Sequence, residues 1–330
     1  MGVYITMKNI VIIATGGTIA GSGKIGESAS YQAGTINVKQ IVDSIPQIDT
    51  LANLTMIQLC NLDSNDIGIS HWKKLREYCE RYDKDDSIDG IVITHGTDTL
   101  EETAFFLNLT LNCHKPVVLT GSMRPATSTS ADGPMNLYQA VALACSTDAY
   151  DAGVLALFSD TIYSGRDLQK TNSYKTDAFK MGEFGSLGYM RDDQVYLLSE
   201  PHKKHTHQTI FANLSIDILP KVGIYYVHSD CDPQLLEDMM KRYDGVVIAG
   251  TGSGNYPSAI KDVIEKNDDC ILVRSSRVIE GAVFDSKYFD PELKTIPALK
   301  FSPQKARLLL QLSLLVTKEP KKIKEIFSVY

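Results

Sequence analysis

The 330-residue sequence predicts an α/β protein built on a doubly wound, mainly parallel sheet. Three observations carry that expectation. Short apolar runs rich in β-branched residues recur along the chain, helical periodicities lie between several of them, and Gly-rich turns close the first of them. A continuous apolar run fits a strand buried on both faces of a parallel sheet, and strand alternating with helix favours crossover connections. The length suits two domains or one large one.

The first strand is expected at Ile10 to Ala14. Gly16 and Gly17 then allow a sharp turn that leaves Thr18 at the strand's carboxyl end, where open α/β sheets bind ligands. Leu75, Tyr78, Cys79 and Tyr82 fall on one face of a helix. Ile91 to Ile93 form the next strand, Gly96 breaks it, and Thr97 and Asp98 stand just before another helix. Thr99 and Glu102 have capping-box spacing there, and Leu100, Ala104, Leu107 and Leu111 follow at helical intervals. Thr97 and Asp98 therefore lie near a helix N-terminus, whose orphan N–H groups favour an anion.

Strands follow at Pro116 to Leu119 and Gly153 to Phe158, with a helix between them on Leu137, Ala140, Val141 and Ala144. The region from about Leu198 to Leu219 lacks a long apolar period and reads as a linker. His202, His205 and His207 within it stand among lysines without carboxylate support, which favours a solvated segment over a metal site. Further strands are expected at Val222 to Val227, Gly245 to Ala249 and Ile271 to Val273. The apolar segment 308–316 reads as a core helix, with Ser302 as N-cap and Pro303 at the first helical position.

Bulk properties narrow the function. Apolar residues make up 43% and charged residues 22%, as in ordinary globular proteins. A net charge of −7 argues against nucleic-acid binding, which needs basic surface. The opening MGVYITMKNI has no secretory pattern, so a cytoplasmic protein is expected, with a periplasmic or secreted one as the alternative if a signal peptide was removed, and no apolar stretch approaches the roughly 18 residues of a membrane span. Six cysteines lack CxxC spacing, and no metal site is expected. GSGKIG at 21–26 matches GxGxxG but sits past its strand with no helix opening on it, so no dinucleotide cofactor is expected.

Each Gly-Thr loop offers a hydroxyl at a strand end. Read from the residues alone, such a loop is either turn and cap chemistry or a site of nucleophilic catalysis, and both readings stay open.

ATGGTIAG at 14–21 and THGTDTLEETAFFL at 94–107 resemble the two signature segments of the bacterial L-asparaginases, and the sequence is most similar to the type II group. GSMRPATSTSADGPMNLYQAV at 121–141, GRDLQKTN at 165–172, SSRV at 275–278 and PQKARLLLQLSL at 303–314 agree with that resemblance, in order, through nearly the whole chain. It implies a larger N-terminal domain over 1–198, a linker over 199–219 and a smaller α/β C-terminal domain over 220–330. The activity implied is hydrolysis of L-asparagine to L-aspartate and ammonia, with some L-glutamine hydrolysis and without metal or organic cofactor. Family members form homotetramers as dimers of intimate dimers, each site lying between one subunit's N-terminal domain and its partner's C-terminal domain.

Matched by motif, Thr18 takes the family's nucleophile position and Tyr31 that of its mobile partner, on a Gly- and Ser-rich loop suited to a lid. Thr97, Asp98 and Lys170 form the second catalytic group, in which a desolvated lysine can serve as or tune a base. Ser64 matches the serine that binds the substrate carboxylate, and Asp98 the acid that contacts its ammonium. Asn65 and Ser122 join the substrate-binding group, and Asn255 matches a contact from the partner subunit. The expected reaction is acyl transfer: a threonine oxygen attacks the side-chain amide, backbone N–H groups stabilise the oxyanion, ammonia leaves and water cleaves the ester.

The sequence departs from the family in three places. Asn65 stands where type II members usually have Gln. Tyr288 stands near the place of a Glu that reaches the substrate amine across the dimer, leaving Asp285, Asp290 or Asp98 alone to serve. Cys113 matches one end of a disulfide found in some exported members, while Cys79 lies several residues from the other. Two rival readings share parts of this pattern. The amidase subunit of a tRNA-dependent amidotransferase would carry an added N-terminal domain, and a silent amino-acid-binding module could dispense with Thr18, Tyr31, Thr97 and Lys170.

Overall fold

The computed structural model describes residues 7–27, 31–267, 269–288 and 290–330. They fall into two compact units divided between Ser215 and Ile216, a point inside the 199–219 stretch. Among the described residues no helix is long and apolar enough to cross a membrane.

The first unit is organised by an eight-stranded sheet. Its strands are β1 (Lys8–Gly16), β2 (Ala52–Leu62), β3 (Gly90–Thr94), β4 (Val117–Thr120), β5 (Val154–Phe158), β6 (Thr161–Ser164), β7 (Gly188–Arg191) and β8 (Gln194–Leu197). They lie in the order β8-β7-β6-β5-β4-β3-β1-β2. From β2 to β5 every pairing is parallel, whereas β6, β7 and β8 extend the sheet by antiparallel pairings. The apolar runs mark the buried centre: Ile10, Val11, Ile12 and Ile13 of β1 and Ile91, Val92 and Ile93 of β3 are wholly buried. The outer strand β2 alternates partly exposed and exposed residues along most of its length, so it leaves no continuous apolar run to read.

Helices α1 (Val38–Asp43), α2 (Ile69–Asp83), α3 (Leu100–Thr110) and α4 (Gly133–Cys145) connect the parallel strands. α2 and α3 pack on one another, and α4 packs across β1, β3, β4 and β5. The strand after β1 is added on one side of it, and those after β2 on the other. The topology therefore reverses between β1 and β3, and the crevice beyond the carboxyl ends at such a point is the usual ligand site of an open α/β sheet.

Two caps differ from expectation. Thr99 does precede α3, but its hydroxyl donates to the Ser64 carbonyl at 2.7 Å and makes no cap bond. Ser302 precedes its helix, yet its Oγ is buried without a hydrogen-bond partner, leaving Pro303 as the start signal. The stretch read as a linker is held to the first unit as far as Leu214. Phe211 and Ala212 are buried, and the Arg76 guanidinium donates to the Ala212 and Leu214 carbonyls.

The second unit has four parallel strands in chain order, β9 (Val222–Tyr226), β10 (Gly245–Gly250), β11 (Ile271–Ser276) and β12 (Thr295–Pro297). Val246, Ile248 and Leu272 pack with Leu236 of α5 (Pro233–Arg242) and with Ile260 and Ile264 of α6 (Ser258–Glu265). α7 (Pro303–Val316) packs on β9, β10 and β11, and α8 (Pro320–Val329) on β12.

Candidate active site

Three loops leave the carboxyl ends of β2, β1 and β3, and glycine lets them touch through their backbones. Gly17 has φ 78° and ψ −170°, a conformation essentially reserved for glycine. A Cβ there would lie 2.4 Å from both Cα and N of Gly96, and one on Gly96 would lie 2.8 Å from Cβ of Ser64. Thr18, Ser64 and Thr97, each buried, are thus carried on three segments in direct contact. Thr18 opens a single 3-10 turn, Thr18–Ala20, directly after Gly17. Gly17 N donates to Leu62 O at 2.8 Å, which fixes the β1 loop against the end of β2.

Charge enters through Lys170. Its Nζ donates to Thr97 Oγ1 at 2.8 Å and to Asp98 Oδ1 at 2.6 Å. The two-residue strand Gln169–Lys170, paired with Phe179–Lys180, presents this lysine, and its backbone N donates to Glu101 Oε2 at 2.6 Å. Glu101 is buried in the first turn of α3 and anchors the lysine segment to the helix that follows Thr97. Lys170 is mostly buried, whereas Asp98 is 56% exposed and so open to a ligand.

The Ser64 segment is held from two directions. Thr99 Oγ1 grips its carbonyl, and Asp63 Oδ1 accepts from Asn65 N at 2.9 Å and from Asn65 Nδ2 at 2.8 Å. Asn65 Nδ2 also stands 3.5 Å from Asp98 Oδ2, linking it to the Lys170 group.

Beneath the Thr97 loop runs a buried chain. Trp72 Nε1 donates to Thr103 Oγ1 at 2.8 Å, Thr103 Oγ1 lies 2.9 Å from His95 Nε2, and His95 Nδ1 lies 2.8 Å from Gly96 O. An indole N–H only donates, so the threonine hydroxyl in turn donates its hydrogen bond to Nε2. The ring proton then sits on Nδ1, where it donates to the Gly96 carbonyl. Burial pushes the imidazole down to about 4, so it is neutral at ordinary pH and the chain is fully satisfied.

The other predicted residues lie elsewhere. Ser122 follows β4 and is buried, but its Oγ donates to Arg124 O at 2.8 Å within its own turn. Tyr31 pairs with Gly23 in a short hairpin, and its side chain lies outside the described residues. Gly34, at the far end of that loop, returns to the site through Gly34 N to Gly17 O at 3.3 Å and through Asn61 Nδ2, which donates to Gly34 O. Asn255 belongs to the second unit, where it bridges to Thr251 by reciprocal backbone bonds and keeps a buried Oδ1 with no partner.

Asp290 and Asp285 are both engaged within the second unit. Asp290 accepts from Lys294 N and Thr295 N at 2.8 Å each and from Thr295 Oγ1 at 2.6 Å, and Asp285 pairs with Lys324 at 2.6 Å. Tyr288 is 85% exposed. Cys79 and Cys113 are free thiols, and Cys113 Sγ donates to Asp83 Oδ1.

Sequence reasoning missed Glu101, Thr99 and the Trp72–Thr103–His95 chain. Thr99 is explained locally by its capping-box spacing with Glu102, and no local signal marks Glu101 as a partner of Lys170 or Trp72 and Thr103 as partners of His95.

Residues 9–203 match the family described as Asparaginase, N-terminal, and residues 221–327 match the Glutaminase/Asparaginase C-terminal domain. The chain is 42% identical to L-asparaginase 2 of Escherichia coli over 339 residues, covering 100% of this chain and 95% of that protein. It is 40% identical to the glutaminase-asparaginase of Acinetobacter glutaminasificans, covering 98% of this chain and 100% of the relative. The crystal structure of a probable cytoplasmic L-asparaginase from Campylobacter jejuni superposes with a TM-score of 0.92 at 41% identity, covering 98% of this chain and 100% of the other. With both halves matched and relatives this similar along their full length, the chain belongs to the asparaginase family.

Proposed function

We propose that this protein is an L-asparagine amidohydrolase that releases L-aspartate and ammonia through a threonine acyl-enzyme, with some L-glutamine hydrolysis. The observation that carries the reading is the Lys170 ammonium held between Thr97 Oγ1 and Asp98 Oδ1, beside the glycine contact that joins the Thr18 and Thr97 loops.

In that geometry Lys170 donates to Thr97, which leaves the hydroxyl proton of Thr97 free to point away from the lysine. For Nζ to accept a proton from Thr97, it first gives one to Asp98 Oδ1, 2.6 Å away. Thr18 is assigned as the nucleophile and Tyr31 as its partner on the lid loop. Thr97 and Lys170 activate the second hydroxyl of the site, whichever step each threonine takes. Asp98 keeps accepting capacity for the substrate ammonium, and Ser64, steadied by Thr99, faces the substrate carboxylate. Asn65 adjusts Asp98, Ser122 shapes the turn after β4, and Asn255 is assigned as the contribution of a partner subunit in a homotetramer of two intimate dimers.

The test is ammonia release from L-Asn, L-Gln and D-Asn by the purified chain, with sedimentation to give its assembly state. Release from L-Asn is expected to fall by at least about 10²-fold in Thr18→Ala, Thr97→Ala and Lys170→Met, the usual range for losing a proton-transfer group. No release from any amide by the parent protein sinks the proposal.

A further inference from the structure

We infer that His114, Asp151 and His207 form a binding site for a borderline divalent cation, with Zn²⁺ as its representative. These residues come from three loops of the first unit: the segment after α3, the turn before β5, and the 3-10 turn Thr206–Gln208. One donor atom from each lies within 4.8 Å of the others.

The loops are fixed before any cation arrives. Asp83 Oδ1 accepts from His114 N at 2.9 Å and Lys115 N at 3.0 Å, and Asp151 N donates to His114 O at 2.9 Å. The segment carrying His207 is tied down by Thr209 Oγ1, which donates to the Leu109 carbonyl of α3. Asp151 itself takes φ 54°, a conformation that Asp and Asn tolerate better than most residues.

The side chains converge on one oxygen. His114 Nδ1 lies 2.8 Å from Asp151 Oδ1, and His207 Nδ1 lies 3.7 Å from the same atom. At 3.7 Å the second contact is not a hydrogen bond. The two rings stack at 4.0 Å with 25° between their planes, so both present nitrogen toward the carboxylate although only one bonds it. Zinc ligands at about 2.0–2.2 Å in tetrahedral array stand roughly 3.3–3.6 Å apart, a spacing these donors reach by small side-chain rotations. Two imidazoles and one carboxylate suit Zn²⁺, Cu²⁺ or Ni²⁺ better than Mg²⁺ or Ca²⁺, which prefer oxygen.

Water can complete the coordination. The side chains of His114 and Asp151 are 45% exposed, and that of His207 25%. Asp151 also lines a cavity of about 540 Å³ together with Tyr150, Ala152 and His205. None of the three ligands is bonded to the Thr97, Asp98 and Lys170 group. The cation would clamp the 206–208 segment to the body of the first unit, and amide hydrolysis would not depend on it.

The test is calorimetric titration of the full, untagged, chelator-treated chain with Zn²⁺ after alkylation of the folded protein, which blocks the accessible thiols of Cys60 and Cys145 while the other four cysteines are buried. The expected result is one Zn²⁺ per chain at micromolar affinity. His207→Gln and Asp151→Asn should each weaken it at least tenfold, and His114→Asn/His207→Gln should abolish it. His228→Gln should leave it unchanged. On the parent protein, Zn²⁺ should shift the ring-proton NMR resonances of two of the seven histidines, a readout that needs no variant to fold. No binding by the parent, binding that survives the double substitution, or a Zn²⁺ response confined to other histidines overturns the inference.

Discussion

Replacing Gly17 by alanine tests whether the glycine contact sets the distance between the two threonine loops. The backbone at φ 78°, ψ −170° costs a non-glycine residue about 1–3 kcal/mol. The new Cβ would stand 2.4 Å from Gly96 Cα and N, against the roughly 3.5–4.0 Å at which carbon contacts are comfortable. Both partners are backbone, so a rotamer change cannot relieve the clash. Relief requires the loops to part by about 1 Å or more, a displacement that commonly costs about 10²-fold in rate when it separates catalytic groups. Initial-rate ammonia release should show kcat reduced by about 10²-fold or more, with a thermal midpoint lowered by an amount consistent with a few kcal/mol at most. Gly68→Ala is the control, because a Cβ there meets nothing within 4 Å. Parental kcat in a folded Gly17→Ala protein would refute the claim that this contact positions the site.

Three further outcomes are expected. Thr99→Val removes the hydroxyl that holds the Ser64 carbonyl at 2.7 Å and should raise KM for L-Asn severalfold, at about 1 kcal/mol of stability; an unchanged KM counts against Ser64 as a substrate contact. Asp290→Ala leaves Lys294 N, Thr295 N and Thr295 Oγ1 without their acceptor and should cost about 3 kcal/mol in denaturant unfolding, while the ratio of kcat/KM for L-Asn to L-Gln stays fixed; a shifted ratio would show that Asp290 reaches substrate. Burial keeps the His95 imidazole at about 4, below the ordinary ~6.5 it has in an unfolded chain, so the unfolded state alone gains the proton between these values. The stability this group contributes is whole above pH ~6.5 and is lost as pH falls toward 4, on the order of 3 kcal/mol across the window. Urea midpoints taken from pH 7.5 to 5 should therefore fall more steeply for the parent than for His95→Gln, and equal slopes would contradict the assignment.

The fold was legible wherever burial on both faces wrote itself as a continuous apolar run. Ile10 to Ile13, Ile91 to Ile93 and Val246 to Ile248 are such runs, and each lies at the centre of a parallel sheet. β2 escaped because an outer strand half open to solvent carries Asn, Thr and Gln between its apolar residues. β6 to β8 are four residues each, and β7 and β8 alternate, with Tyr189 and Tyr196 outward, so neither length nor a continuous apolar run separates them from loop. Burial without periodicity hid the packing of Phe211 and Ala212, since an aperiodic segment gives no face to read.

The site was legible in its hydroxyls and illegible in what holds them. A Gly-Thr pair at a strand end can be seen in sequence, but the reason for the glycine lies in the opposing loop. Gly17 and Gly96 follow different strands, and only the adjacency of β1 and β3 makes each the steric limit of the other. The same adjacency distinguishes two serines that look alike in sequence. Ser64 and Ser122 both follow strands and are both buried. Ser64 leaves β2, beside β1 at the reversal of the sheet, packs on Gly96 and has its carbonyl held by Thr99. Ser122 leaves β4, one strand beyond β3, and spends its hydroxyl on Arg124. Hydroxyl chemistry in this sheet is therefore sorted by strand order: the groups brought into contact leave β2, β1 and β3, and the lysine and acid that charge them are recruited through Glu101 and Asp98, at the start of the helix that follows β3.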